Sequence, residues 1–175
     1  MFRERCAAAS RGSSWPERGA FAVLFLLFHI GRDRYALDTA VVAEVLPVVA
    51  LKQIPHAPPA VAGIFNYRGS PVPAIDLSLL ALGSAAPRRQ NTRIVVVHYV
   101  SGTSGKHLLG LIAERVTGVV RREPAEFVPS GVAPDTASGL GPVAPDSQGM
   151  IQRVDVQALL PAELRDQLFT AVRAA

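Results

Sequence analysis

The residues best suited to chemistry stand in a short turn between two apolar runs. The turn reads Asn66-Tyr67-Arg68-Gly69, and the runs at 61–67 and 72–75 are typical of paired strands. An arginine is protonated at neutral pH, so Arg68 cannot abstract a proton there. Its planar fork of donors suits a carboxylate on a partner, and Tyr67 and Asn66 add an aromatic face and a second polar group. On spacing alone, an interface and a solvated turn both remain open.

Few other residues are arranged for catalysis or metal binding. Asp76 is the one carboxylate that could act as a general base, but its place before an apolar run at 77–82 favours a helix cap. The sequence has neither a phosphate-binding loop nor a nucleophile elbow. The four histidines lack the spacing of metal ligands: His29, His56, His98 and His107. We therefore expect no catalytic set, no metal and no cofactor.

Composition and charge place the chain among globular proteins. Its 175 residues are 49% hydrophobic and 18% charged. The single cysteine, Cys6, cannot form an internal disulfide, which favours a reducing, cytoplasmic location. Half of the net charge of +4 falls within residues 1–20, and the remaining charges are interspersed. Because nucleic-acid-binding proteins cluster their basic residues on one face, we expect no nucleic-acid partner.

The first 20 residues are expected to be a flexible tail. Arginines followed by the apolar run 21–28 are also the charge order of a signal peptide, which is the alternative. That run is not followed by a small-residue cleavage site and is too short to span a bilayer, so no membrane insertion is expected.

Short apolar runs separated by glycine and proline predict a mainly β fold, a barrel or a sandwich, with short helices. The predicted strands lie at 24–30, 34–37, 48–54, 61–67, 72–75, 93–100, 107–120 and 150–156. Helices are predicted at 40–46, 77–82 and 161–172, and loops at 83–92 and 123–149. Gly110 and Gly118 suggest bulges in the strand 107–120.

The region from Tyr35 to Leu80 resembles CheW, the coupling protein of bacterial chemosensory arrays. It contains V-A-E-V at 42–45, P-H-A-P-P-A-V-A-G-I-F-N-Y-R-G at 55–69 and V-P-A-I-D-L at 72–77. R-I-V-V-V at 93–97 and L-L-G-L-I-A-E-R-V-T-G-V-V at 108–120 resemble the later strands of that family. The resemblance covers about residues 21–160.

The resemblance implies two small SH3-like β-barrels packed together, without catalysis or cofactor. It divides the chain into a tail at 1–20, a CheW-like domain at 21–160 and a C-terminal helix at 161–175. The implied partners are the cytoplasmic tip of a methyl-accepting chemoreceptor and the regulatory domain of a CheA-type histidine kinase. The implied receptor-facing residues are Val42, Glu44, Asn66, Tyr67, Arg68 and Gly69. Tyr67 departs from the leucine more common at its position, which puts partner choice in doubt rather than the fold.

Several functions stay open beside this one. The run 42–69 also resembles short coupling proteins of Wsp-type surface-sensing clusters, and a pilus-type cluster is another candidate. A small enzyme using Asp76 and a histidine would need both groups within hydrogen-bond reach. A coupling domain fused to a phosphoacceptor receiver would need roughly a hundred further residues.

Overall fold

The computed structural model describes residues 22–101, 105–131 and 139–170, which form a predominantly β structure. The described strands are β1 (Val23–Ile30), β2 (Asp33–Asp38), β3 (Val42–Pro47), β4 (Val61–Tyr67), β5 (Ser70–Asp76), β6 (Arg93–Ser101), β7 (Gly105–Arg122), β8 (Leu140–Asp146) and β9 (Gly149–Val154). The α-helices are α1 (Leu77–Leu82), α2 (Val156–Leu159) and α3 (Ala162–Thr170), and short 3-10 helices cover Thr39–Val41 and Pro124–Glu126. The predicted mainly β class is confirmed.

One long strand, β7, joins two units of sheet. Its first half pairs antiparallel with β6 and, over three residues, parallel with β5. Its second half pairs with β1, which continues through β2 and β9 to β8. The first unit therefore contains β3 to β6 and the second contains β1, β2, β8 and β9.

The hydrophobic core follows the division of the sheet, with one cluster in each unit and a larger cluster that both units share. One cluster, around Phe65 and Ile94, lies within the first unit, and another, around Phe25 and Ile151, lies within the second. The largest cluster includes residues from both units and from α2 and α3. Phe169 of α3 stacks on Tyr99 of β6 with ring centroids 5.1 Å apart, so the last described helix is part of this shared core.

The prediction of a helix at 40–46 is wrong. Asp38 does cap a helical turn through its side chain, which accepts from the Ala40 amide, but only the 3-10 turn Thr39–Val41 forms. The chain then enters β3, whose backbone pairs with the valine-rich strand β6. Pairing with β6 thus prevails over helix propensity, which is weak at β-branched positions such as Val42 and Val45.

The prediction of a strand at 48–54 is also wrong. The chain there makes one isolated bridge, in which Lys52 and Ile64 exchange backbone hydrogen bonds of 2.8 and 2.9 Å. This bridge brings the segment after β3 against β4. Gly63 permits the approach, since a Cβ built on it would lie 2.6 Å from the Lys52 carbonyl oxygen.

Two smaller expectations need correction. The region 123–149, predicted as loop, contains β8, and the strand predicted at 150–156 ends at Val154 before α2 begins. Gly110 lies in regular pairing with Val96 rather than in a bulge. The irregularity in β7 falls between Glu114 and Gly118, where Arg115 has a positive φ of 42°.

An ion-pair network holds the second unit together. Asp146, at the end of β8, accepts hydrogen bonds from Arg34 of β2 and from Arg122 of β7, the latter at 2.8 Å. Arg122 also contacts Glu126 at 2.9 Å. The side chain of Asp146 is 13% exposed, so these contacts are partly shielded from water.

The predicted tail at 1–20, with its signal-peptide alternative, lies outside the described residues, as do residues 171–175. Within the described part of the chain, none of the helices has both the length and the apolar character required to cross a membrane.

Candidate functional site

The turn between β4 and β5 is a two-residue hairpin loop formed by Arg68 and Gly69. Tyr67 pairs with Ser70 to close it. Arg68 and Gly69 both have positive φ, at 50° and 89°, as a turn that follows the strand twist requires. The Asn66 side chain stabilises the turn, because its Oδ1 accepts a 2.8 Å hydrogen bond from the Gly69 amide. The turn therefore presents Arg68 in a defined backbone conformation.

A carboxylate from β3 meets this turn. Glu44 Oε2 accepts a 2.7 Å hydrogen bond from the Tyr67 hydroxyl and a 2.8 Å hydrogen bond from Arg68 Nη2. The Arg68 guanidinium also lies over the Tyr67 ring, 5.1 Å from its centroid. Glu44, Tyr67 and Arg68 are hereafter called the hairpin cluster.

Electrostatics keep the hairpin cluster in one charge state near neutral pH. The hydrogen bond from Tyr67 and the adjacent charge of Arg68 lower the pKa of Glu44. The same hydrogen bond, together with burial, raises the pKa of Tyr67. Glu44 is therefore an anion and Tyr67 a neutral donor over the physiological range.

Arg68 combines an internal contact with an open outer side. Its side chain is 74% exposed although it contacts Glu44. A guanidinium has five N–H donors, so the bond to Glu44 leaves most of them directed at solvent. The Tyr67 ring, over which the guanidinium lies, is buried. Its position is therefore restricted by the surrounding residues.

Five of the six predicted site residues are brought together by these contacts, and the sixth is placed differently. Val42 begins β3, opposite Val97, and its half-buried side chain packs against the largest hydrophobic cluster. The contact between Arg68 and Glu44 was not anticipated from the sequence, since 24 positions separate them. Glu44 and Arg68 both lie in motifs that resemble those of the family, but a sequence motif does not indicate which of its residues are in contact.

Asp76 behaves as the predicted cap. Its Oδ1 accepts from the amides of Ser78 and Leu79 at 3.0 Å, and its Oδ2 accepts from the Ala86 amide at 2.9 Å. A cavity of about 240 Å³ lies beside it, and the polar side chains among its described lining are Gln53, Asp76, Arg88 and Thr92. Because three amides occupy the carboxylate, it is poorly disposed to take a proton from a substrate.

Within 22–101, 105–131 and 139–170, no three His, Cys, Asp or Glu side chains come together as a metal site would require.

Comparison with known proteins gives one consistent family. The model of the CheW-like domain matches residues 24–164. The chemotaxis protein CheW of Klebsiella aerogenes is 26% identical over 144 residues, covering 79% of this chain and 82% of that protein. CheW of Helicobacter pylori is 29% identical over 135 residues, covering 77% and 76%. Protein FrzA of Myxococcus xanthus is 28% identical over 114 residues, covering 65% and 68%.

A solved structure shares the fold. The crystal structure of the scaffolding protein TtCheW from Thermoanaerobacter tengcongensis superposes with a TM-score of 0.72, covering 85% of this chain and 94% of that one at 23% identity. The two sheet units thus form a fold already observed for that scaffolding protein. With a family model that spans residues 24–164, the chain belongs to the CheW-like domain family of chemotaxis signalling scaffolds.

Proposed function

We propose that this chain is a non-enzymatic adaptor that couples methyl-accepting chemoreceptors to a CheA-type histidine kinase in a chemosensory array. Membership of the CheW-like family over residues 24–164 is the observation that carries the proposal. The adaptor acts at the cytoplasmic tip of the receptor and on the regulatory domain of the kinase.

The receptor-facing surface in this proposal is the hairpin cluster with Asn66 and Gly69 of the turn, together with Val42, which lies two residues before Glu44 at the start of β3. Two features support the assignment: the arginine of the hairpin turn is exposed, and the backbone conformation of the turn is stabilised by the Asn66 side chain. Arginine and tyrosine are among the residues that contribute most to the binding free energy at protein interfaces. Here the exposed arginine lies over a buried tyrosine ring. Kinase contacts lie on a different surface.

The absence of catalysis is part of the proposal. Asp76, the one carboxylate considered as a base, is occupied by three backbone amides. Adaptor activity requires only two binding surfaces held at a fixed separation, which the shared core of the two sheet units supports.

Reconstitution tests the proposal. Kinase autophosphorylation is measured with receptor, kinase and this chain together, and with each component omitted in turn. We expect activation only in the complete mixture, because a coupler acts by holding two partners together. Equal activation in the absence of receptor would contradict the coupling role.

The output of the pathway is identified by a separate experiment. A flagellar, a Wsp-type and a pilus-type output would each use a different kinase and response regulator. Affinity purification from cells followed by mass spectrometry identifies the kinase, and the regulator that this kinase phosphorylates decides among the three.

A further inference from the structure

Tyr67 directly precedes the exposed arginine of the hairpin turn, and its side chain has one group that can donate a hydrogen bond, the hydroxyl. That hydroxyl donates to Glu44 Oε2 at 2.7 Å. A leucine could fill the same buried position but could not donate this hydrogen bond. The inference below rests on the proposed function and concerns the selectivity of its receptor-facing surface.

The hydroxyl of Tyr67 changes how Glu44 is held. With it, two donors converge on Glu44 Oε2, one from a buried tyrosine and one from an exposed arginine. Without it, only the mobile end of an exposed arginine side chain would hold the carboxylate. Exposed ion pairs of this kind are weak because water and salt screen them.

The fixed position of Glu44 in turn determines how much positive charge Arg68 presents to a partner. A fixed carboxylate 2.8 Å from the guanidinium largely compensates its positive charge. A lone carboxylate on a partner would gain from Arg68 but be repelled by Glu44. The attraction between this surface and a single negative charge is therefore small.

The cluster retains hydrogen-bonding capacity on its outer side. Both hydrogen bonds that Glu44 accepts within the described part of the chain fall on Oε2, and its side chain is 36% exposed, so Oε1 can accept from a partner. The exposed side chain of Arg68, next to Glu44, keeps further N–H donors that no hydrogen bond to Glu44 occupies. The outer side of the cluster thus displays one acceptor and several donors next to each other.

We propose that Tyr67 is a specificity-determining residue: its hydroxyl fixes Glu44 against Arg68, so that the cluster selects a receptor tip that presents a donor next to an acceptor rather than a lone carboxylate. Tyr67 acts through Glu44 and Arg68 and is a positioning residue. Replacing the hydroxyl would release Arg68 and shift selectivity toward a single negative charge.

The test compares Tyr67→Phe, which removes only the hydroxyl, with the unmodified chain. The first measurement is made without any partner: an NMR titration of the Glu44 carboxyl carbon, in which the variant should have a higher pKa because a hydrogen bond to the charged form is lost. The matched control is Tyr35→Phe, which removes a hydroxyl from another buried tyrosine, on β2 of the second unit. This control should leave the titration of Glu44 unchanged.

The second measurement is the affinity for a purified chemoreceptor tip fragment at 50 and 500 mM sodium chloride. A compensated ion pair predicts that the affinity of the unmodified chain falls by about threefold or less over this range. A released arginine predicts a fall of about tenfold or more for Tyr67→Phe. Changing the surface carboxylates of the tip to amides, one at a time, should weaken binding to the variant more than binding to the unmodified chain.

The outcomes separate the two proposals. An unchanged Glu44 pKa in Tyr67→Phe, or equal salt dependence of the two proteins in tip binding, would overturn the role of Tyr67 alone. A well-folded unmodified chain that binds no receptor tip would overturn the proposed function, and the selectivity with it, whatever the Glu44 titration shows. A raised Glu44 pKa with steeper salt dependence supports both.

Discussion

The hydroxyl of Tyr67 lies 2.7 Å from Glu44 Oε2 and joins two parts of the sheet that share no ladder, β3 and the β4–β5 hairpin. The backbone of β3 pairs with β6 and that of β4 with β5. The side-chain contact therefore links β3 to the hairpin next to the exposed turn, where the two are not joined by backbone pairing. Arg68 adds to this link by donating to the same oxygen.

Gly110→Ala should destabilise the protein by about 1–3 kcal/mol, measured as the free energy of unfolding in urea. A Cβ at this position would lie 2.7 Å from Phe65 Cε1 and 3.0 Å from Ile94 Cγ2, inside the core of the first unit. The same change at Gly118, on the same strand but with no neighbouring atom within 4 Å, should alter stability by no more than about 0.5 kcal/mol. Equal effects at both positions would contradict the packing of Phe65 against β7.

Asp146→Asn should lower the free energy of unfolding at pH 7 by about 2 kcal/mol, because charge-assisted hydrogen bonds to two arginines are weakened. The bond from Arg34, an amide contact and the charge of Arg122 lower the pKa of Asp146 in the folded protein. Its contribution is thus fully present above the unfolded pKa of about 4 and is lost as the pH falls through the lower folded value.

The difference between Asp146→Asn and the unmodified chain should accordingly narrow as the pH is lowered from 5 to 2. Asp33→Asn is the control, since Asp33 is an exposed carboxylate at the start of the same strand as Arg34. It should have little effect at any pH. A stability gap for Asp146→Asn that is independent of pH would show that the network does not depend on its charge.

Asp76→Ala should destabilise the protein by about 3 kcal/mol, since three amides lose their acceptor in a buried setting. Asp76→Asn should be milder, because its Oδ1 still caps α1 while its amide nitrogen faces the Ala86 donor. Thermal unfolding of the two variants gives the order. An Asp76→Asn protein with unchanged stability but a lost enzymatic turnover would favour the enzyme alternative instead.

Local signals account for the parts of the fold that the sequence predicts well. The hairpin at 61–75 is predicted because glycine and a polar turn separate two apolar runs. Helix α1 is predicted from Asp76 at its start and Gly83 at its end, where Gly83 has a positive φ of 69°. Each of these signals acts within a few residues of the structure it determines.

The failures have non-local causes. The segment 40–46 has a cap and a stop that suit a helix, yet it pairs with β6, which begins about fifty residues later. The prediction of β structure at 48–54 fails because one bridge to Ile64 is all the pairing that the chain makes there. The pairing of Glu44 with Arg68 depends in the same way on how two distant segments meet, which residue spacing alone does not encode.

Arg68→Ala should weaken binding to a chemoreceptor tip by roughly thirtyfold, the loss typical of an interface hot spot. The fold should be unchanged, because the side chain is 74% exposed and contributes little to the core. Glu44 would also remain without its cation, so the site would repel an acidic partner. Arg68→Lys should restore little, since an ammonium lacks the fork that contacts Glu44 and a partner together.

Isothermal titration against receptor-tip and kinase fragments separates the two binding surfaces. Arg68→Ala should bind the kinase fragment as the unmodified chain does, because the proposed kinase surface lies elsewhere. Arg89→Ala is the matched control, as it removes an exposed arginine from the loop at 83–92 and should leave both affinities unchanged. If a well-folded Arg68→Ala protein binds the receptor tip with undiminished affinity, the arginine is a solvated turn residue whose role ends at its contact with Glu44.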